Sequence, residues 1–198
     1  MKFFLISFFV SCLFNHKAFS LDTIAKQAIL YDYETKTIIF EKNSEELMSP
    51  SSMSKIMTIY YVFKKIKDGD LKLTDKFKVS KKAWKKGGSK MFVNVNTMVS
   101  VEDLIRGIIV QSGNDACIAI AEGISGSEAL FAEELNLLAK ELGMMNSSFT
   151  NSTGWPDPDH LTTIQDLLTL TVRTIEDFPE LYYYYAEKEF TYSGIRQL

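Results

Sequence analysis

The chain has 198 residues with 22 basic and 25 acidic among them, so at a net charge of −3 it lacks the surplus of Lys and Arg that a broad nucleic-acid surface requires. Only one of its two cysteines, Cys117, lies beyond the first twenty residues, which excludes an internal disulfide framework in the remainder. The length suffices for one domain with a substantial core.

Residues 1–20, MKFFLISFFVSCLFNHKAFS, read as an export leader. Lys2 precedes an apolar run from Phe3 to Phe14, shorter than the roughly 20 apolar residues of a comfortable membrane span. Ala18, Phe19 and Ser20 supply small residues for cleavage before Leu21. An uncleaved anchor and a lipid-modified Cys12 are the alternatives, the second set back by the poor approach sequence Phe9-Val10-Ser11. Without Lys2 and Lys17, 20 basic residues face 25 acidic ones, a net charge near −5.

Ala25–Tyr33 and Lys36–Glu41 are short apolar or aromatic runs around Glu34-Thr35 and predict an antiparallel hairpin. From Ser52, residues Ile56, Ile59, Tyr60, Phe63 and Ile66 recur at spacings of three and four, which puts them on one buried helical face until Asp68-Gly69-Asp70 ends it. A strand is expected at Lys76–Val79. Lys81, Lys82, Lys85, Lys86 and Lys90, with Trp84 among them, read as a solvated loop. Ser100 and Asp103 predict a capped helix start ahead of Leu104, Ile105, Ile108 and Ile109. Ser112-Gly113-Asn114 breaks that helix from the small apolar run Ala116–Ala121, and Phe131, Leu135, Leu138 and Leu142 mark another helix closed by Gly143. Met145–His160, rich in Asn, Ser, Gly, Pro and Asp, is expected to be a long surface loop. Thr163 and Asp166 cap a further helix, Tyr182–Tyr185 form a short helical aromatic patch, and Glu189–Tyr192 begins a strand. The fold class is α+β. Its helices need a wider sheet than one hairpin and one terminal edge provide, so the fold is expected to be incomplete at the C-terminus.

Ser-x-x-Lys stands at the start of the first helix. Residues three apart share a helical face, so Ser52 Oγ and Lys55 Nζ can meet there. Serine is a weak nucleophile at neutral pH, and lysine accepts its proton only where desolvation or positive charge lowers the ammonium pKa. By itself the motif is common, and an ordinary helix start is its favoured reading. Ser51 can also reach Lys55 but reads as an N-cap. In Ser112-Gly113-Asn114, Ser112 can relay a proton and Asn114 can hold an amide carbonyl or the Lys55 ammonium. The plainer reading is a glycine turn with Asn114 as its cap. His160, with Asp157 and Asp159, reads as exposed loop, and Glu128, Glu133 and Glu134 as helix-surface charge, so neither metal nor cofactor is expected.

Taken together, these motifs resemble the exported low-molecular-mass penicillin-binding proteins of the D-alanyl-D-alanine carboxypeptidase family. The similarity runs from Ala25 through Leu198. Besides the two motifs it includes Ile56-Met57-Thr58, Gly88–Phe92, Val101–Leu104, Glu141–Met144, Asn151–Asp157 and Phe178-Pro179-Glu180. The resemblance implies the penicillin-binding, serine β-lactamase-like transpeptidase fold, with residues 21–198 as the N-terminal portion of that domain. It further implies a periplasmic enzyme that removes the terminal D-alanine of peptidoglycan stem peptides. Ser52 would be the nucleophile, Lys55 its base, Ser112 the relay to the departing D-alanine and Asn114 the substrate-orienting amide. Stem peptides ending in D-Ala-D-Ala and β-lactam antibiotics would be its partners, with the inner-membrane surface as a further one.

One departure stands out. The family takes one oxyanion donor from the nucleophile's own N–H and the other from a strand near a Lys-Thr-Gly motif, which does not occur between Ser112 and Leu198. Lys36-Thr37-Ile38 precedes the nucleophile and lacks the glycine. An inactive truncated fragment, or a non-catalytic peptidoglycan-binding remnant, is therefore the alternative reading.

Overall fold

The computed structural model describes residues 21–198, and the expected leader at residues 1–20 lies outside the described residues. Strands β1 (Ala28–Asp32) and β2 (Thr37–Lys42) form the expected hairpin, with Ala28 opposite Lys42 and a register slip between Leu30 and Tyr31. Asp32 closes its turn, where one carboxylate oxygen accepts the N–H groups of Glu34 and Thr35.

A 3-10 turn at Ser51–Met53 leads into α1 (Ser54–Lys67). The sequence pattern marks one apolar face, but Met57, Thr58, Ile59, Tyr60, Tyr61, Val62 and Phe63 are all buried in succession. A helix covered on every side belongs at the centre of its domain. The rest of the helical layer packs around it: α3 (Val101–Ile109), α5 (Glu128–Glu141) and α6 (Ile164–Asp177) each contact α1, while α4 (Asn114–Ser125) lies against α3 and α5. Short antiparallel pairs flank this layer, β3 (Lys76–Lys78) with β4 (Met98–Ser100) and β5 (Phe190–Tyr192) with β6 (Ile195–Gln197). The C-terminal segment is thus a hairpin rather than a single edge strand. Among the described residues no helix is long and apolar enough to cross a membrane.

Helix starts follow the expected chemistry. Ser100 Oγ accepts the Asp103 N–H, and Thr163 Oγ1 accepts that of Asp166. Three expectations need correction. The lysine run is solvated, with Lys81, Lys82 and Lys85 exposed, but not loop throughout: Ser80 caps a short helix, α2 (Lys81–Lys85), Lys82 pairs with Glu128 at 2.6 Å, and Lys90 Nζ donates to the Trp84 carbonyl. Glu128 is buried rather than a surface charge, accepting from the Ser152 N–H and hydroxyl. Burial opposes its ionisation, yet Lys82 and Ser152 outweigh that and hold the carboxyl below the usual range. Glu134 likewise accepts from Tyr61 and Ser125. Finally, Met145–His160 is not a surface loop throughout, because Phe149, Ser152, Thr153 and His160 are buried. Composition marks this stretch as irregular, but side-chain partners on α1 and α5 satisfy its backbone and draw it inside: Thr58 Oγ1 donates to the Ser152 carbonyl, and Asn136 brackets Phe149 through both its N–H and its carbonyl.

Asp115, in the first turn of α4, ties the site region together. It is fully buried; one oxygen accepts the Met91 and Ala116 N–H groups and the other that of Val93. Removing the carboxylate strands buried donors at about 1–3 kcal/mol each. Asp115→Ala should therefore lose about 3 kcal/mol in urea denaturation, and Asp115→Asn, which keeps one acceptor oxygen, distinctly less. An alanine variant within about 0.5 kcal/mol of the parent would show that the clamp contributes nothing.

Candidate active site

Ser52 lies in the 3-10 turn and Lys55 on the first turn of α1, so the three-residue spacing brings them together as expected. Lys55 Nζ donates to Ser52 Oγ at 3.1 Å and to Ser112 Oγ, contributed by the α3–α4 turn, at 2.9 Å. Lys55 is 5% exposed, and no carboxylate lies within ion-pair distance of it among the described residues. Burial consequently pushes its ammonium pKa down from the ordinary value. The thiol of Cys117 nearby is itself pushed up to about 12 by burial and offers no anion at neutral pH to reverse this. A cavity of about 120 Å³ joins Ser52, Lys55 and Ser112, walled by Ile56, Ile59, Ile108 and Ile109. The arrangement brings two hydroxyls and an amine of lowered pKa into contact beside an apolar wall.

Two serines hold unusual backbone. Ser51 has φ +49° and Ser112 φ +56°, in the left-handed region that non-glycine residues seldom adopt. This corrects the N-cap reading of Ser51: an N-cap uses extended backbone, whereas Ser51 is left-handed and makes no capping bond. Its carbonyl instead accepts the Ser54 hydroxyl at 2.8 Å. Gly154 presses against the same carbonyl, and a Cβ there would fall on the Ser51 oxygen. With φ +76° as well, Gly154 meets two demands that only glycine satisfies.

Asn114 is buried next to this cluster but does not share a hydrogen bond with Lys55. Its Nδ2 donates to the Gly87 carbonyl at 2.9 Å, and its backbone N–H to that of Ser89. It is also not the cap of α4: Gly113 holds that position, and Asn114 is the first helical residue. Asn114 thereby fixes the Gly87–Ser89 segment along one side of the site.

His160 and Tyr185 are the two residues that sequence reasoning missed. His160 is not exposed loop but 1% exposed, edge-on to Phe149. Its Nδ1 accepts the Thr150 N–H at 3.1 Å, which leaves Nε2 carrying the proton and donating to Ser54 Oγ at 2.8 Å. A continuous chain therefore runs from Thr150 through His160 and Ser54 to the Ser51 carbonyl, one residue before the nucleophile. The sequence signal was slight: a lone histidine in a Pro- and Asp-rich stretch. The Tyr185 hydroxyl lines the cavity, buried and without a hydrogen-bond partner among the described residues. Only its place in an aromatic run was legible.

The chain is similar to known proteins along most of its length. The family model described as D-alanyl-D-alanine carboxypeptidase matches residues 15–198. D-alanyl-D-alanine carboxypeptidase DacC of Escherichia coli strain K12 is 41% identical over 179 residues, 87% of this chain and 45% of that protein. DacA of Haemophilus influenzae is 39% identical over 176 residues, again 87% of this chain and 45% of that one. Among solved structures, the carboxypeptidase DacD of Francisella tularensis superposes with a TM-score of 0.84 at 37% identity, covering 90% of this chain and 44% of that one. Penicillin binding protein 5 of Haemophilus influenzae also reaches 0.84, at 39% identity over 87% and 51% of the two chains. Penicillin-Binding Protein D2 of Listeria monocytogenes, solved in its ampicillin-bound form, scores 0.78 at 25% identity, covering 89% and 72%. The chain spans about 45% of the curated relatives named here.

Burial holds the His160 pKa below its ordinary value, with only partial opposition from Asp157. As pH falls below about 6.5 the unfolded chain takes up a proton that the folded His160 resists, so stability declines toward the depressed folded pKa. Thermal melting should show Tm falling between pH 7 and pH 5, with a shallower fall in His160→Asn. An equally steep fall in that variant would remove His160 as the cause.

Proposed function

The chain belongs to the D-alanyl-D-alanine carboxypeptidase family of serine peptidases, and on that premise we propose that Ser52 attacks the carbonyl between the two terminal D-alanines of a peptidoglycan stem peptide. The single observation that carries the reading is the meeting of Lys55 Nζ with the hydroxyls of Ser52 and Ser112 at 3.1 and 2.9 Å in an apolar pocket. As the free amine, Lys55 has one lone pair with which to accept the Ser52 proton while Oγ bonds to the carbonyl carbon. The Ser52 backbone N–H serves as one oxyanion donor. Collapse of the tetrahedral intermediate breaks the C–N bond, and the proton held by Lys55 passes through Ser112 to the departing amine of D-alanine. Water then hydrolyses the ester, releasing the shortened peptide and restoring the Ser52 hydroxyl.

Asn114 orients the peptide in this reading. Its hold on Gly87 supports that role, because it keeps the amide beside the site wall rather than on Lys55. The ampicillin-bound relative supports β-lactams as ligands that acylate the same serine. Peptidoglycan as substrate implies a periplasmic location near the inner-membrane surface, and the leader-like residues 1–20 support export.

Lys-Thr-Gly does not occur between Ser112 and Leu198, so the described residues supply one oxyanion donor of the family's two. One donor is worth on the order of 3 kcal/mol, about a hundredfold in rate. A fluorescent penicillin should label the purified protein covalently at Ser52, at a rate set by how many oxyanion donors the site assembles. Label should be lost in Ser52→Ala and slowed about a hundredfold or more in Lys55→Met. Label that survives Ser52→Ala refutes the nucleophile. Saturable muropeptide binding without any label would favour the non-catalytic reading instead.

A further inference from the structure

Trp155 follows Gly154, the residue pressed against the Ser51 carbonyl, so it emerges directly beside the nucleophile turn. Its indole lies across the backbone of Gly87 and Gly88: a Cβ on Gly87 would meet the ring at 3.9 Å and one on Gly88 at 3.4 Å. The same Gly88 Cβ would come within 2.7 Å of Asn114 Nδ2, and Gly88 has φ +78°. Two glycines thus let an aromatic plate rest on the segment that Asn114 holds. Trp155 is 42% exposed.

Lys86 stands over that ring, Nζ 3.8 Å from the centroid. It is distinguished from the equally unpaired Lys81 and Lys85 by its place over the indole. Lys82 is neutralised by Glu128, and Lys90 is tied to the Trp84 carbonyl. Lys86 has no carboxylate within ion-pair distance among the described residues. Partial burial holds its ammonium pKa down, the charge of Glu128 opposes this only in part and that of Lys82 adds to it, so the cation would gain from a further anion. A lysine held on an indole offers a fixed positive charge beside an apolar surface, which suits a ligand with a carboxylate on a short aliphatic arm.

We propose that Lys86 and Trp155 form a subsite for a side-chain carboxylate of the peptide, outside the terminal D-Ala-D-Ala unit. The inference rests on the reading of Ser52, Lys55 and Asn114 as a peptide site and adds a charge preference to it. Lys86 would pair with the carboxylate, and Trp155 would pack its methylene groups.

The test is a binding measurement that needs no catalysis. In a Trp84→Phe background Trp155 is the sole tryptophan, and its fluorescence is titrated with N-acetyl-D-Glu-L-Ala-D-Ala-D-Ala, with the D-Gln counterpart, and with the D-Glu peptide amidated at its C-terminus. The D-Glu peptide should bind about two- to fivefold more tightly than the D-Gln peptide, the range of an exposed ion pair. That preference should vanish in Lys86→Gln and weaken in 0.5 M salt. Equal affinity for the D-Glu and D-Gln peptides, a preference that survives Lys86→Gln, or no saturable change in Trp155 emission would each overturn the subsite. So would dependence on Lys86 of the C-terminal carboxylate alone, seen as a loss on amidation. The same titration in Ser52→Ala separates the two readings, since a charge preference retained there stands even where penicillin labelling fails.

Discussion

Lys55 sits between two serine hydroxyls with isoleucine side chains behind it and, among the described residues, no carboxylate close enough to neutralise it. In water an ammonium group would hold its proton firmly; in this pocket the charged form loses its hydration and gains only two hydroxyl contacts. The pocket therefore makes the ammonium easier to deprotonate than in water, with Nζ already in hydrogen-bond contact with Ser52 Oγ. Chemistry at this site follows from the balance between desolvation and the absence of a counter-ion. An added anion within a few ångströms would restore the ammonium and silence the base.

Much of the surrounding structure keeps that geometry in place. α1 is covered on nearly every side, so Lys55 projects from the most constrained element of the domain. Left-handed backbone at Ser51 and Ser112 is of order 1–3 kcal/mol unfavourable at each residue and persists only where neighbours over-determine it. For Ser51 those neighbours are Gly154 and the chain from His160 through Ser54. For Ser112 they are the Gly113 N–H bonded to the Gly107 carbonyl and the Asn114 N–H bonded to that of Ser89. Asp115 then anchors Met91 and Val93, so the wall that Asn114 touches is held from both ends.

The meeting of Ser52, Lys55 and Ser112 was largely legible in the sequence because it rests on local spacing. Ser52 and Lys55 are three residues apart on a helix whose apolar period is strong, and Ser112 stands at a glycine break between two apolar helices. Capping at Ser100 and Thr163 was legible for the same reason. His160 and Glu128 were not, since polar residues in a turn-rich loop or at a helix start are ordinarily exposed. Their burial is decided by partners far along the chain, Ser54 for one and Ser152 for the other. Ser51 was misread because serine before a helix is most often a cap, whereas the contacts that hold its left-handed backbone, Gly154 and the His160–Ser54 chain, come from about a hundred residues away. Asn114 was placed in the right neighbourhood but with the wrong partner: spacing brings it near Lys55, whereas the Gly87 carbonyl, unseen from local pattern, takes its amide.

The charge state of Lys55 is the most direct point of attack on this account. NMR titration of protein labelled at lysine ¹³Cε, with the Lys55 resonance assigned by its absence in Lys55→Arg, reads the pKa of that one amine. A midpoint clearly below 10.5 is the result expected of a desolvated amine without a counter-ion. A midpoint at or above 10.5 would mean that the ammonium is comfortable where it lies, and that Ser52 has no base beside it.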